Sequence, residues 1–136
     1  MKSWIVVVAA ALVSVGAVSV GAYFDNAPDT EAIMKALFKK NSGKFNTALK
    51  KEIETSPTDW EALQKTTGEI AKLGGDLEKG KPGKGDEASW KKLAGKFGAD
   101  TKALHDAAEA KDLAKIKASQ KAIGGSCKAC HNAHRE

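Results

Sequence analysis

The residues of this chain best suited to chemistry lie together near the C-terminus, in Cys127-Lys128-Ala129-Cys130-His131. Two cysteines three apart, followed at once by a histidine, match the C-x-x-C-H pattern through which a c-type haem is attached. Residues three and four apart share a helix face, so both sulfurs can reach the vinyl groups along one porphyrin edge while the imidazole turns under the iron. The spacing predicts one covalent haem c, with Cys127 and Cys130 as thioether donors and His131 as an axial iron ligand.

Other uses of the pair have to be weighed. A disulfide over so short a gap closes a very small loop and constrains the unfolded chain little. A thioredoxin-like redox pair needs a βαβ setting, and beyond residue 24 no stretch rich in Val, Ile, Tyr or Thr suggests a strand. A zinc site from Cys127, Cys130 and His134 lacks an evident fourth ligand. The chain holds only 2 cysteines, and the haem motif uses both.

The opposite face of the iron has few candidates: Met34, His105 and His134. His134 shares a turn with His131 and cannot reach the far side of the ring. His105, beside Leu104, reads as a surface or rim histidine. Met34 falls in phase with Phe38 and Phe45 on an inward stripe. It either ligates iron through its thioether, which raises the reduction potential, or fills a gap in the core. Arg135 follows His131 by one turn, so its guanidinium can lie near the proximal imidazole or a haem propionate, or simply favour the helix C-terminus.

The elements that must position these groups are helical. Asp29 or Thr30 caps a first helix running to about Glu54, with Ile33, Met34, Leu37, Phe38, Phe45, Ala48, Leu49 and Ile53 on one stripe and Gly43 interrupting without breaking it. Ser56-Pro57-Thr58-Asp59 starts a second, whose inward face is Trp60, Leu63, Thr67, Ile70 and Leu73. Gly74-Gly75 ends it, and the glycine-rich stretch to Ser89 has the composition of a long mobile connector. Asp86 or Ser89 opens a third helix with Trp90, Leu93, Ala94, Phe97, Leu104 and Ala108. Asp112 opens the fourth, with Leu113, Ile116, Ile123, Cys127 and Cys130 or His131. Four amphipathic helices can shield their apolar faces only against one another, which predicts an all-α antiparallel four-helix bundle.

The wider composition agrees. The chain has 136 residues, 42% hydrophobic, 29% charged and 6% aromatic, enough for one soluble domain, assigned to residues 23–136. Residues 1–22 carry Lys2 and then an uncharged apolar run, Trp4 to Ala22. That run reads as a signal peptide cleaved before Tyr23, or, being nearly long enough to span a bilayer, as a retained membrane anchor. Either way the domain is expected outside the cytoplasm, in the periplasm. The formal charge of +5 falls to +4 without Lys2. Arg135 is the only arginine and no aromatic residues are interleaved with lysines, which argues against nucleic acid. Scattered lysines read first as a solvated surface and second as steering toward an acidic partner or lipid headgroups. No nucleophile with its base, acidic pair or phosphate loop argues for an enzyme.

Trp90, Ala94 and Phe97, the turn from Ala108 to Leu113, and Gly124 to Arg135 with its attachment motif together resemble the class II c-type cytochromes, the cytochrome c-prime family. The likeness covers most of residues 29–136. It implies four antiparallel helices around a haem attached near the C-terminus. Ile33-Met34-Lys35 is similar to the ligand region of the family's low-spin branch, which implies Met34 as distal ligand and transient single-electron exchange with redox partner proteins. With the register moved by one turn, Leu37 or Phe38 would stand over the iron, implying a five-coordinate haem that binds nitric oxide or carbon monoxide. The family often carries an aromatic residue where this chain has His134, and its members often pair as a homodimer through the first two helices.

Overall fold

The computed structural model describes residues 28–136; the expected leader, Met1 to Ala22, lies outside them. The described residues form helices and no strand: α1 (Thr30–Phe38), a π-helical segment (Lys44–Leu49) running into α2 (Lys50–Glu54), α3 (Trp60–Lys79), α4 (Glu87–Glu109) and α5 (Leu113–His134). No helix among them is long and apolar enough to cross a membrane.

Aspartate opens each principal helix. Asp29 accepts from the Glu31 amide at 2.9 Å, Asp59 from Ala62 at 3.0 Å, Asp86 from Ala88 at 2.9 Å and Asp112 from Lys115 at 3.0 Å. Each carboxylate satisfies an amide that the helix itself leaves without an acceptor, and its charge suits the positive end of the helix dipole. At Asp112, the Lys115 amide is the main cause of a carboxyl held below its ordinary range. Pro57, expected at the first helical position, lies ahead of the cap instead.

The expected first helix is divided. Its chain turns at Lys39–Gly43, where Asn41 is left-handed with φ 74°. Gly43 is buried there, and a Cβ on it would stand 2.5 Å from the Leu37 carbonyl oxygen, so the turn closes only around glycine. Asn46 Nδ2 donates to the Phe38 carbonyl at 2.9 Å, which satisfies the open end of α1. The predicted stripe survives the break: Ile33, Leu37, Phe45, Leu49 and Ile53 are all buried.

A second correction concerns Gly74-Gly75, which lie inside α3 and do not end it. A Cβ on Gly74 would stand 2.1 Å from Thr101 Oγ1, whereas one on Gly75 meets nothing within 4 Å. Gly74 therefore lets α3 and α4 approach closely. Contacts pair Gln64 with Ala108, Gly68 with His105, Gly74 with Thr101 and Gly95 with Glu78, so the two helices run antiparallel. Because α3 continues to Lys79, only residues 80–86 separate it from α4, in place of the expected long mobile connector.

The core follows. Leu37, Leu49, Leu63, Ile70, Leu104, Ile116 and Ile123 are fully buried and join all the helical segments. The α3–α4 pair forms the centre; α5 packs on α4, while α1 and the π-helical segment pack on α3. Between α1 and α5 there is at most marginal contact.

Candidate haem site

The gap between α1 and α5 is a cavity of about 1210 Å³. That exceeds the ~300–1,000 Å³ usual for small-ligand pockets, as a large flat cofactor requires. Every residue singled out from the sequence as a primary candidate lines it: Met34 from α1, Cys127, Cys130 and His131 from α5, and Arg135 at the end of α5. Its walls are largely apolar, with Phe38, Phe45, Leu77, Leu93 and Phe97. Phe38 makes tilted ring contacts with Phe45 at 5.3 Å and Phe97 at 6.3 Å between centroids.

Helical spacing on α5 brings the motif to this wall. Cys127 and Cys130 are half-buried and not joined to each other, and Cys130 also touches the core. Burial, and then the charge of Cys127, push the Cys130 thiol above its ordinary range. A thiol so placed is disfavoured as a free thiolate, which counts against a role as a nucleophile. His131 is exposed and lines the cavity, and no described residue takes up either ring nitrogen, so one is available to a metal. The residues present fit a covalent haem: two sulfurs and an imidazole on one wall, a thioether on another, and apolar side chains between.

His134, weighed from the sequence only as a zinc or distal ligand, has instead a structural role that the sequence reading did not assign. It is 4% exposed. Its Nδ1 stands 2.9 Å from the Lys84 carbonyl oxygen, which can only accept, so Nδ1 carries the proton and donates. Nε2 then accepts from the Ser89 hydroxyl at 3.1 Å. The ring meets Trp90 edge-on at 5.5 Å, and Trp90 Nε1 donates to the Gly80 carbonyl at 2.9 Å. With both nitrogens engaged, His134 is unavailable to the zinc site weighed above, and no group of three or more candidate metal-ligating side chains exists among the described residues. A signal was present in the sequence: His134 continues the Ile116, Ile123, Cys130 stripe by one further turn.

His105 is the rim residue expected. It packs on Gly68, lies 3.1 Å from Thr67 Oγ1 through Nδ1, and does not line the cavity.

Residues 83–135 match the family model described as Cytochrome C'. No curated protein and no solved structure gives a significant match to the chain.

Proposed function

We propose that this chain, a class II c-type cytochrome of the cytochrome c-prime family through residues 83–135, carries single electrons between redox partners outside the cytoplasm. The observation that carries this reading is that Met34 of α1 and His131 of α5 line one cavity from different helices. One haem attached through Cys127 and Cys130 supplies a one-electron iron couple.

The chain's own residues divide the remaining work. His131 offers an imidazole nitrogen on the proximal side. Met34 offers a thioether from α1, which would favour the reduced state of a bound haem and compete with a gas. Phe38, Phe45, Leu93 and Phe97 keep water from the cavity, and the apolar shell tunes the potential. Arg135 places a cation on the proximal side. Residues 30–54, though divided, take the place of the first helix in an antiparallel four-helix bundle. The apolar leader supplies export as a signal peptide, or holds the domain at the membrane.

One observation favours a second reading. Phe38, one turn beyond Met34, lines the same cavity. With Phe38 over the iron, the site would be five-coordinate and would bind nitric oxide or carbon monoxide.

Absorption spectra of the purified full-length holoprotein distinguish the two. The expected result is low-spin iron indifferent to carbon monoxide, converted by Met34→Ala to high-spin iron that takes up the gas. High-spin wild-type iron that binds the gas, or an unchanged spectrum in the variant, removes Met34 from the iron and favours the second reading. Protein exported from a host that matures cytochromes c, yet without covalent haem, overturns both.

A further inference from the structure

The helix that carries the attachment motif differs in charge from its neighbours. α3 and α4 each hold four acidic residues among their lysines: Glu61, Glu69, Asp76 and Glu78 in one, Glu87, Asp100, Asp106 and Glu109 in the other. Many of these form ion pairs, as in Lys72–Asp76, Lys96–Asp100 and Lys102–Asp106. α5 holds none. Its lysines are Lys115, Lys117, Lys121 and Lys128, and only Lys115 is paired among the described residues, with Asp112 ahead of the helix.

At 100° per residue, Lys117, Lys121 and Lys128 fall within about 40° of one another on the helix circumference and span about 16 Å along its axis. They lie away from the buried line of Ile116, Ile123 and His134. The surface around them is exposed and made of small side chains, Ala114, Ala118 and Gly125, none of which lines the cavity, and a Cβ on Gly125 would meet nothing within 4 Å. α4 is the one helix that α5 packs on substantially, the C-terminal end of α5 also meeting residues 80–86, and Lys117, Lys121 and Lys128 stay exposed among the described residues. It also borders the motif, since Lys128 follows Cys127 directly.

We infer that the outer face of α5 is the docking surface for an acidic electron-transfer protein, which it brings beside the thioether edge of the haem. The inference rests on the proposed function and adds the partner's chemistry and its place of contact. Charge complementarity selects the occupant: three cations of one sign on a smooth patch steer an anionic surface toward it. An anionic bilayer is the less suited occupant, because the face lacks the Trp, Phe or Leu that would enter the headgroup region. With haem attached, one electron would pass in the complex from the partner's reduced centre, which is oxidised, to the haem, which is reduced.

A reduced plant-type ferredoxin with an acidic surface is a suitable probe, being a one-electron donor of low potential. Two measurements on holoprotein serve: the rate of haem reduction, and the affinity for labelled ferredoxin by anisotropy, which does not depend on the iron's sixth ligand. At ~10 mM ionic strength, K117E/K121E/K128E is expected to lower both by about tenfold or more, with the difference closing toward 1 M salt. K117Q/K121Q, which leaves the motif untouched, should show a smaller loss in the same direction. K50E/K65E/K92E makes the same change in net charge on exposed residues of other helices and should leave most of the affinity. Equal losses in both triple variants, or none in either, overturn the inference. So does loss of binding to vesicles one-third phosphatidylglycerol with ferredoxin affinity unchanged, which would make the face a membrane contact. A wild-type protein whose Met34→Ala spectrum is unchanged, yet whose ferredoxin affinity falls as expected, would refute Met34 ligation and leave the docking face standing.

Discussion

His134→Phe tests whether the end of α5 is held by polar contacts or by packing alone. Phenylalanine keeps a ring against Trp90 and removes the bonds to Lys84 and Ser89, at 2.9 and 3.1 Å. Two net hydrogen bonds are worth about 1–3 kcal/mol together. Both bonds are part-buried, so each takes a similar share of that range. For a domain of roughly 100 residues, at about 3–6 °C per kcal/mol, thermal melting of the holoprotein followed by circular dichroism should fall by roughly 5–12 °C. Ser89→Ala removes one bond and should cost about half as much. His134→Ala also loses the ring and opens a cavity beside Trp90, so it should cost more than His134→Phe by about 1–2 kcal/mol. The reasoning is refuted if His134→Phe melts with the wild type, or if Ser89→Ala costs more than His134→Phe.

Adjacent glycines should respond with opposite signs: Gly74→Ala drives a Cβ into Thr101 and is expected to cost about 2 kcal/mol in urea unfolding, while Gly75→Ala, with open space around it, should gain up to about 1 kcal/mol of helix propensity. Thr101→Ala in the Gly74→Ala background should recover most of the loss, and equal responses at the two glycines would contradict the close approach. Glu52 supplies a pH test, since burial, aided by the charges of Asp59 and Glu69, pushes its carboxyl above the ordinary 4.5 against the Thr66 hydroxyl at 2.8 Å and the charge of Lys44, and Oε2 has no partner among the described residues. The folded state then holds the Glu52 proton more tightly than the unfolded chain, so this contribution is full below the unfolded value and is lost as pH rises through the folded one. Glu52→Gln should remove that slope, and urea midpoints of wild type and variant that run parallel from pH 4 to 7 would show the burial to be inconsequential.

Periodicity made most of the interior legible. Most predicted stripe positions are buried or half-buried, because a 3.6-residue repeat reports which side faces away from water; Met34, Phe38, Leu93, Cys127 and Cys130 stay half-buried and His131 exposed, since their side of the stripe meets the cavity. The Asp-led starts at 29, 86 and 112 were equally readable, since a cap is a local interaction between a side chain and amides two or three residues on. Glycine was the point of failure, in both directions. Gly43 marks a true break and Gly74 does not, and local sequence is the same kind of signal at both. What separates them is the atom opposite, the Leu37 carbonyl of the same chain segment at one and Thr101 of another helix at the other. The attachment motif was legible as a pattern, and so was the candidacy of Met34. That both lie on one cavity was not, because the distance between α1 and α5 is a property of the tertiary arrangement.

That distance has an identifiable cause. The two helices proposed to supply the axial ligands scarcely touch, so direct packing cannot set how far apart they stand. Both are tied instead to residues 80–86. Thr30 Oγ1, at the start of α1, donates to the Lys81 carbonyl at 3.1 Å, and His134, at the end of α5, donates to the Lys84 carbonyl while its own carbonyl accepts from the Lys84 amide at 3.3 Å. The loop is in turn fixed to α4 through the bond from Trp90 to Gly80. A stretch whose composition suggested mobility is thus held at three points along its length. If it does set the opening, Thr30→Val should loosen the α1 side without touching any cavity-wall residue of α5, and the holoprotein should then admit carbon monoxide to a fraction of its iron. An opening set by the cofactor alone would leave the gas excluded.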